Sequence, residues 1–223
     1  MTDTFDTFDQ YDTETKSRLT FKKRWLFLGI LLIVIIIAVA ALIHIYPKKD
    51  RINTDDLPEK YMVENDDNFY AFQSGKDCTG YATAYVMRHF GIEASGHAIY
   101  KEMGGTTEGI MLYKLVDELE RYGLQAKMLY GTIDTLKAEL NKGAPVIAFI
   151  NIVMPHETER HCVAVVGYDE EYIYIADSTE VKANVYDQKT YDRKLTYEEF
   201  EDLWDTGAYP FIKNCYIVAE KQE

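Results

Sequence analysis

From Trp25 to Tyr46 the chain reads WLFLGILLIVIIIAVAALIHIY, 22 positions without an acid, a Lys or an Arg. As a helix this run would be roughly 33 Å long, enough to cross the hydrocarbon core of a bilayer. Trp25 and Tyr46 bracket it as interfacial aromatics, and Pro47 stops it before the polar run KKDRINTDD. His44 sits near the far interface, where a ring can reach back to water. Two other readings stand beside a transmembrane helix. A buried core helix this apolar all round needs a far larger protein, whereas Ala38-Val39-Ala40 resembles the cleavage site of a signal peptide.

Beyond about Leu57 the pattern becomes mixed. DCTGYATAYVMRHFG predicts a helix ending at Gly91, and SGHAIYKEM a short helix capped by Ser95. GIMLYKLVDELERYG places Met111, Leu112, Leu115, Val116 and Leu119 on one helical face before Gly123, and TIDTLKAELNKG is a further helix closed by Gly143. PVIAFINI, HCVAVVGY, EYIYIADS and NCYIVAE are short apolar runs rich in Val and Ile and read as strands, with DEE as a hairpin turn. Thr196 with Glu199 three residues on is a capping box that opens the helix YEEFEDLWD. Helices followed by strands define an α+β domain, with a cleft between the two parts as the natural place for a site. The expected organisation is a disordered tail over residues 1–24, the apolar helix over 25–46, a linker over 47–66 and a folded domain over 67–223.

Charge adds orientation and excludes a function class. Five bases (Lys16, Arg18, Lys22, Lys23, Arg24) precede the apolar run, against Lys48, Lys49, Arg51 and Lys60 after it, so the positive-inside rule puts the N-terminus in the cytoplasm. Those five bases are balanced by Asp3, Asp6, Asp9, Asp12 and Glu14, so the net charge of −13 lies entirely beyond the helix. Nucleic acid, which needs clustered Lys and Arg, is a poor partner for such a surface. The tail's acidic, low-complexity DTF repeat predicts disorder.

Three cysteines are too few for a disulfide scaffold and show no paired spacing for zinc. No phosphate loop and no metal cluster appear, and no cofactor is expected. Cys78 opens the first predicted helix, and His161 opens a strand far along the chain. A Cys at a helix N-terminus beside a His is the arrangement that favours thiolate, the nucleophilic form. Asp177 ends the strand that pairs with the one begun by His161, so the hairpin can bring a carboxylate beside the imidazole and fix its tautomer. Gln73, five residues before Cys78, can offer its amide N–H to a developing oxyanion together with the Cys78 backbone. Cys162 alternates with His161 along its strand and reads as core; outside the cell it could instead pair with Cys215. His89 and His97 have no partner suggested by spacing, and His156 in PHETER reads as a surface residue.

The segments QSGKDCTGYATAYVMRHFG, GGTTEGIMLYKLVDELERYGLQA, LKAELNKGAPVIAFINI, HCVAVVGYDEEYIYIADS and LTYEEFEDLW follow in the order of the bacteriocin-processing, double-glycine leader peptidases. Over about Phe72 to Ala219 the chain resembles the stand-alone branch of this family of papain-like cysteine peptidases. The resemblance implies a papain-like α+β fold, a helical part plus an antiparallel sheet, and a hydrolase acting on a peptide or protein substrate. It also implies Cys78 as nucleophile, His161 as base, Asp177 as orienter and Gln73 as oxyanion-hole donor. Thr79 stands where the family usually has Gly, and the spacing from Gln73 to Cys78 is one residue shorter than in the transporter-borne members. The expected protein is a single-pass, membrane-anchored thiol protease, held in a bacterial cell membrane by residues 25–46 with its catalytic domain outside. Its rivals are an acyl or peptidyl transferase on the same fold, an inactive peptide-binding relative, and a plain surface domain.

Overall fold

The computed structural model describes residues 6–64, 66–106, 109–154, 158–205 and 209–222, with side chains from Lys23 onward. The chain divides after Ile45 into two compact units.

The first unit is one helix, α1 (Asp6–Ile45). Over Lys23–Ile45 it is long and apolar enough to cross a membrane, by length and composition. Its large apolar side chains, Trp25, Phe27 and Ile37 among them, are exposed, which a soluble core helix would not allow. The helix also takes in residues 6–24, where composition predicted a disordered tail. Extending a helix already nucleated costs far less than starting one. The acid at position 3 lies outside the described residues.

The second unit, from Tyr46 onward, is an α+β domain. Its helices are α2 (Cys78–His89), α3 (Gly96–Glu102), α4 (Tyr113–Arg121), α5 (Ile133–Leu140) and α6 (Tyr197–Trp204). Its strands are β1 (Lys48–Lys49), β2 (Tyr61–Met62), β3 (Leu124–Tyr130), β4 (Val146–Val153), β5 (Thr158–Tyr168), β6 (Tyr172–Ala176), β7 (Arg193–Thr196) and β8 (Cys215–Lys221). They form one sheet in the order β1-β3-β8-β4-β5-β6-β7, with β2 on β5. Every pairing is antiparallel except β1 with β3.

Two short stretches within the expected linker over 47–66, β1 and β2, pair with the sheet. Lys49 is registered on Tyr130 and Tyr61 on Tyr168, and the Asp50 N–H donates to the Tyr130 carbonyl at 2.9 Å. Two-residue strands are held by main-chain bonds and carry no readable alternation, which is why the pattern hid them. LQAKMLY (β3) was equally silent among helices on either side.

The four apolar runs form the centre of the sheet, with Val146, Ile150, Val163, Val165 and Ile175 in its core. Phe200 and Trp204 of α6 close that face, the Trp204 indole donating to the Cys215 carbonyl at 3.0 Å. Two helical expectations fail in detail. Ser95 occupies the N-cap of α3 without a side-chain capping bond. Met111 precedes α4 and is 56% exposed, so it leaves the apolar helix face to Leu115, Val116 and Leu119.

β4 separates β5 from β8, with Phe149 opposite Cys162 and Ala148 opposite Tyr216. Two strand spacings put Cys162 and Cys215 about 9–10 Å apart, beyond disulfide reach. All three cysteines are free thiols.

Candidate active site

Cys78 is the first residue of α2, a position set by the polar loop before it and by close packing behind it. α3 crosses α2 at two glycines. A Cβ on Gly80 would lie 2.2 Å from the Gly96 carbonyl, and one on Gly96 would lie 2.4 Å from the Tyr81 ring. Asp77 takes the N-cap but makes no capping bond. Its Oδ2 instead meets His97 Nδ1 on α3 at 2.9 Å, while its Oδ1 is enclosed without a protein partner.

The other wall comes from the sheet. His161 lies in β5 and Asp177 just after β6, and the hairpin brings His161 Nε2 to 2.6 Å from Asp177 Oδ1. Both side chains are buried. Cys78 borders the same cleft and favours the charged ring, and with Nε2 committed to Asp177 it is Nδ1 that remains for the thiol. Thr179 Oγ1 lies 3.3 Å from Nε2, and the Thr179 N–H donates to Asp177 Oδ1 at 2.9 Å.

Asp177 is held from two further sides. Arg193 Nη1, buried in β7, donates to its Oδ2 at 2.7 Å, and its own N–H donates to Asp192 Oδ1 at 2.6 Å. Burial alone would raise Asp177, but His161 and then Arg193 pull it down to about 2. Burial likewise opposes a charged imidazole, yet Asp177, with help from Cys78, raises His161 to about 10. At Asp192 burial wins: with the Asp177 charge it pushes the carboxyl up to about 7, against the hydrogen bond from the Asp177 N–H and the Arg193 charge.

Gln73 is clamped by the same wall. Its Oε1 accepts from Ser178 Oγ at 2.6 Å, its N–H donates to the Ser178 carbonyl at 2.8 Å, and Nε2 donates to the Gly75 carbonyl at 2.6 Å. An amide nitrogen carries two N–H groups, so a second donor remains on Nε2.

The structure thus brings Gln73, Cys78 and His161 to one cleft of about 730 Å³, with Asp177 directly behind the imidazole. Ile110, Met111, Phe149, Ile152 and Tyr209 supply apolar wall. Thr79 and Cys162 also border the cleft. Cys162 is 1% exposed and its thiol is pushed up by burial and by Cys78, while burial pushes Cys215 up to about 12. His89 stands apart, edge-on to Phe90 at 4.9 Å. His156 lies outside the described residues. Among the described residues no group of three or more His, Cys, Asp or Glu side chains is placed to hold a metal.

Reading the sequence missed Arg193, Asp192, Ser178, Thr179 and the Asp77–His97 pair. β7 is a four-residue strand, RKLT, whose buried Arg looks like any surface cation until Ile175 is registered on Arg193.

A helix-borne thiol facing a sheet-borne imidazole across the seam of an α+β domain defines a papain-like cysteine peptidase. A model of the Peptidase_C39 like family matches residues 57–208. The chain belongs to this family and is a cysteine peptidase, a hydrolase. Solved structures share the fold. Xylellain, a cysteine protease from Xylella fastidiosa, aligns with a TM-score of 0.55 at 14% identity, over 79% of this chain and 92% of that one. A putative C39-like peptidase from Bacillus anthracis aligns at 0.55 and 18% identity, over 74% and 100%. The peptidase domain of Streptococcus ComA aligns at 0.54 and 16% identity, over 69% and 98%. No curated protein matches the chain.

Proposed function

We propose that the chain is a membrane-anchored peptidase that cleaves its substrate through an acyl-enzyme on Cys78. The observation that carries this reading is His161 placed between Asp177 and Cys78 in one cleft. Thiolate attacks the scissile carbonyl carbon, and the tetrahedral oxyanion is met by the Cys78 N–H and the second Nε2 proton of Gln73. His161 then gives its proton to the leaving amine as the C–N bond breaks. A water deprotonated by the same ring hydrolyses the thioester and frees the thiol. Asp177 keeps the ring aligned throughout.

Residues 25–46 hold the enzyme in a cell membrane, N-terminus inside and peptidase outside; the basic cluster before Trp25 supports this orientation. Its substrates are peptides or proteins on the outer side.

Limiting iodoacetamide on the folded full-length chain tests the site. Cys78, half-buried in the cleft, should be alkylated ahead of the buried Cys162 and Cys215, with peptidase activity lost in proportion. Loss of activity without modification of Cys78 would sink the assignment.

A further inference from the structure

Among the described residues, the cleft is bordered by four side chains that carry or take up charge besides the thiols: Lys76, Glu159, Arg160 and His161. Three of them are already matched. Lys76 Nζ lies 3.0 Å from Glu159 Oε1, an ion pair that joins the loop before α2 to the start of β5. A charged His161 is favoured by Asp177 and by Cys78. Arg160, by contrast, is exposed and makes no hydrogen bond or ion pair among the described residues.

Arg160 directly precedes the base. Successive residues of a strand lie about 3.3 Å apart and point to opposite faces. Arg160, His161 and Cys162 nevertheless all border the cleft, which therefore wraps around this end of β5. A guanidinium one residue from His161 reaches groups within a residue or two of the carbonyl that Cys78 attacks. Its N–H donors form a planar fork that fits a carboxylate with two parallel hydrogen bonds. Phe149, Ile152 and Ile110 in the same wall are apolar, and a low local dielectric strengthens such a pair. The chain as a whole carries a net charge of −13, so its surface repels a carboxylate that Arg160 attracts.

We infer that Arg160 is a specificity-determining residue and that the substrate carries a carboxylate within a residue or two of the scissile bond. This deepens the proposed function and rests on Cys78 as the nucleophile. Two groups have this chemistry, an Asp or Glu side chain and the α-carboxylate at a peptide's C-terminus, and the test separates them.

The detergent-solubilised full-length chain is alkylated with three reagents. Iodoacetyl-glutamic acid α-amide carries a side-chain carboxylate, iodoacetyl-glutamine an α-carboxylate, and iodoacetyl-glutamine amide neither. Each places its group one residue from the carbon that bonds to Cys78 Sγ as iodide leaves. Rates at Cys78, followed by mass spectrometry at low salt, are divided by the rate of free iodoacetamide on the same variant. At least one anion should exceed the neutral reagent about tenfold, the effect of one charge-assisted hydrogen bond, and the favoured anion names the source of the carboxylate. Arg160→Ala should bring that ratio to one or below. Arg160→Lys should keep part of it, since a point charge remains without the fork. Neither anion favoured in the wild type overturns the inference and leaves the Cys78 reading intact. A preference that persists in Arg160→Ala also overturns it, because another group then reads the carboxylate. Iodoacetamide that fails to favour Cys78 over Cys162 and Cys215 overturns it through the nucleophile.

Discussion

Asp177 receives three donors, from His161, Arg193 and the Thr179 backbone, so its carboxylate is fixed before any substrate arrives. Its role is to orient, which separates it kinetically from Cys78. Cys78→Ala should abolish acyl-enzyme formation, whereas Asp177→Asn should leave turnover reduced by up to about 10⁴-fold. Gln73→Ala should lower the chemical rate by roughly 10²–10³-fold with substrate affinity nearly unchanged. Single-turnover kinetics on one peptide decide this; wild-type turnover in Cys78→Ala would end the nucleophile assignment. The same groups set a pH dependence of stability. Asp177 is depressed, so its contribution is present above 3.8 and is lost as pH falls toward about 2. His161 is raised, so its contribution is full below 6.5 and disappears as pH climbs through about 10. Asp192 is raised too, and its contribution fades between 3.8 and about 7. Urea midpoints of the detergent-solubilised chain should peak in the mildly acidic range and decline in two steps toward alkaline pH. Asp192→Asn keeps an acceptor for the Asp177 N–H and should remove only the step near neutrality. A flat wild-type profile from mild acid to alkali would contradict the linkage.

At the scale of elements, the position of Cys78 depends on how closely α3 approaches the start of α2. The contact at Gly80 is with a backbone carbonyl, which cannot swing aside as a flexible side chain would. Gly80→Ala should therefore cost roughly 1–3 kcal/mol by overpacking. It should also lower turnover by up to about 10²-fold, because the first turn of α2 must move relative to His161. α6 offers the contrast. Its capping box pairs Thr196 and Glu199, with the Glu199 N–H 3.2 Å from Thr196 Oγ1, and neither residue lines the cleft. Thr196→Ala should cost about 1 kcal/mol of stability and leave kcat unchanged. Denaturant unfolding and steady-state kinetics on the two variants separate the cases; equal effects on turnover would show that α2 is not specially constrained.

At the scale of the whole molecule, the proposed topology makes the peptidase domain accessible from outside the cell. Protease added to intact cells should remove it, whereas a tag before Phe5 should survive; the reverse pattern would invert the orientation. The amino-acid sequence by itself determined the apolar helix, the α+β class, the central strands and the residue types of a thiol peptidase. Each is written locally: a run of apolar positions, a period of two or 3.6, a capping pair, a Cys at a helix start. It also sufficed to propose Cys78, His161, Asp177 and Gln73, because their order along the chain is that of a known family. Only the tertiary structure decided what depends on register between distant strands. It put Arg193 on Asp177, joined Asp192 to the Asp177 N–H, set β4 between Cys162 and Cys215, and paired Lys48–Lys49 and Tyr61–Met62 of the expected linker with the sheet. Main-chain pairing and buried ion pairs join residues whose neighbours in sequence carry no trace of the contact. They are selected by the packing of the whole domain and not by any local pattern.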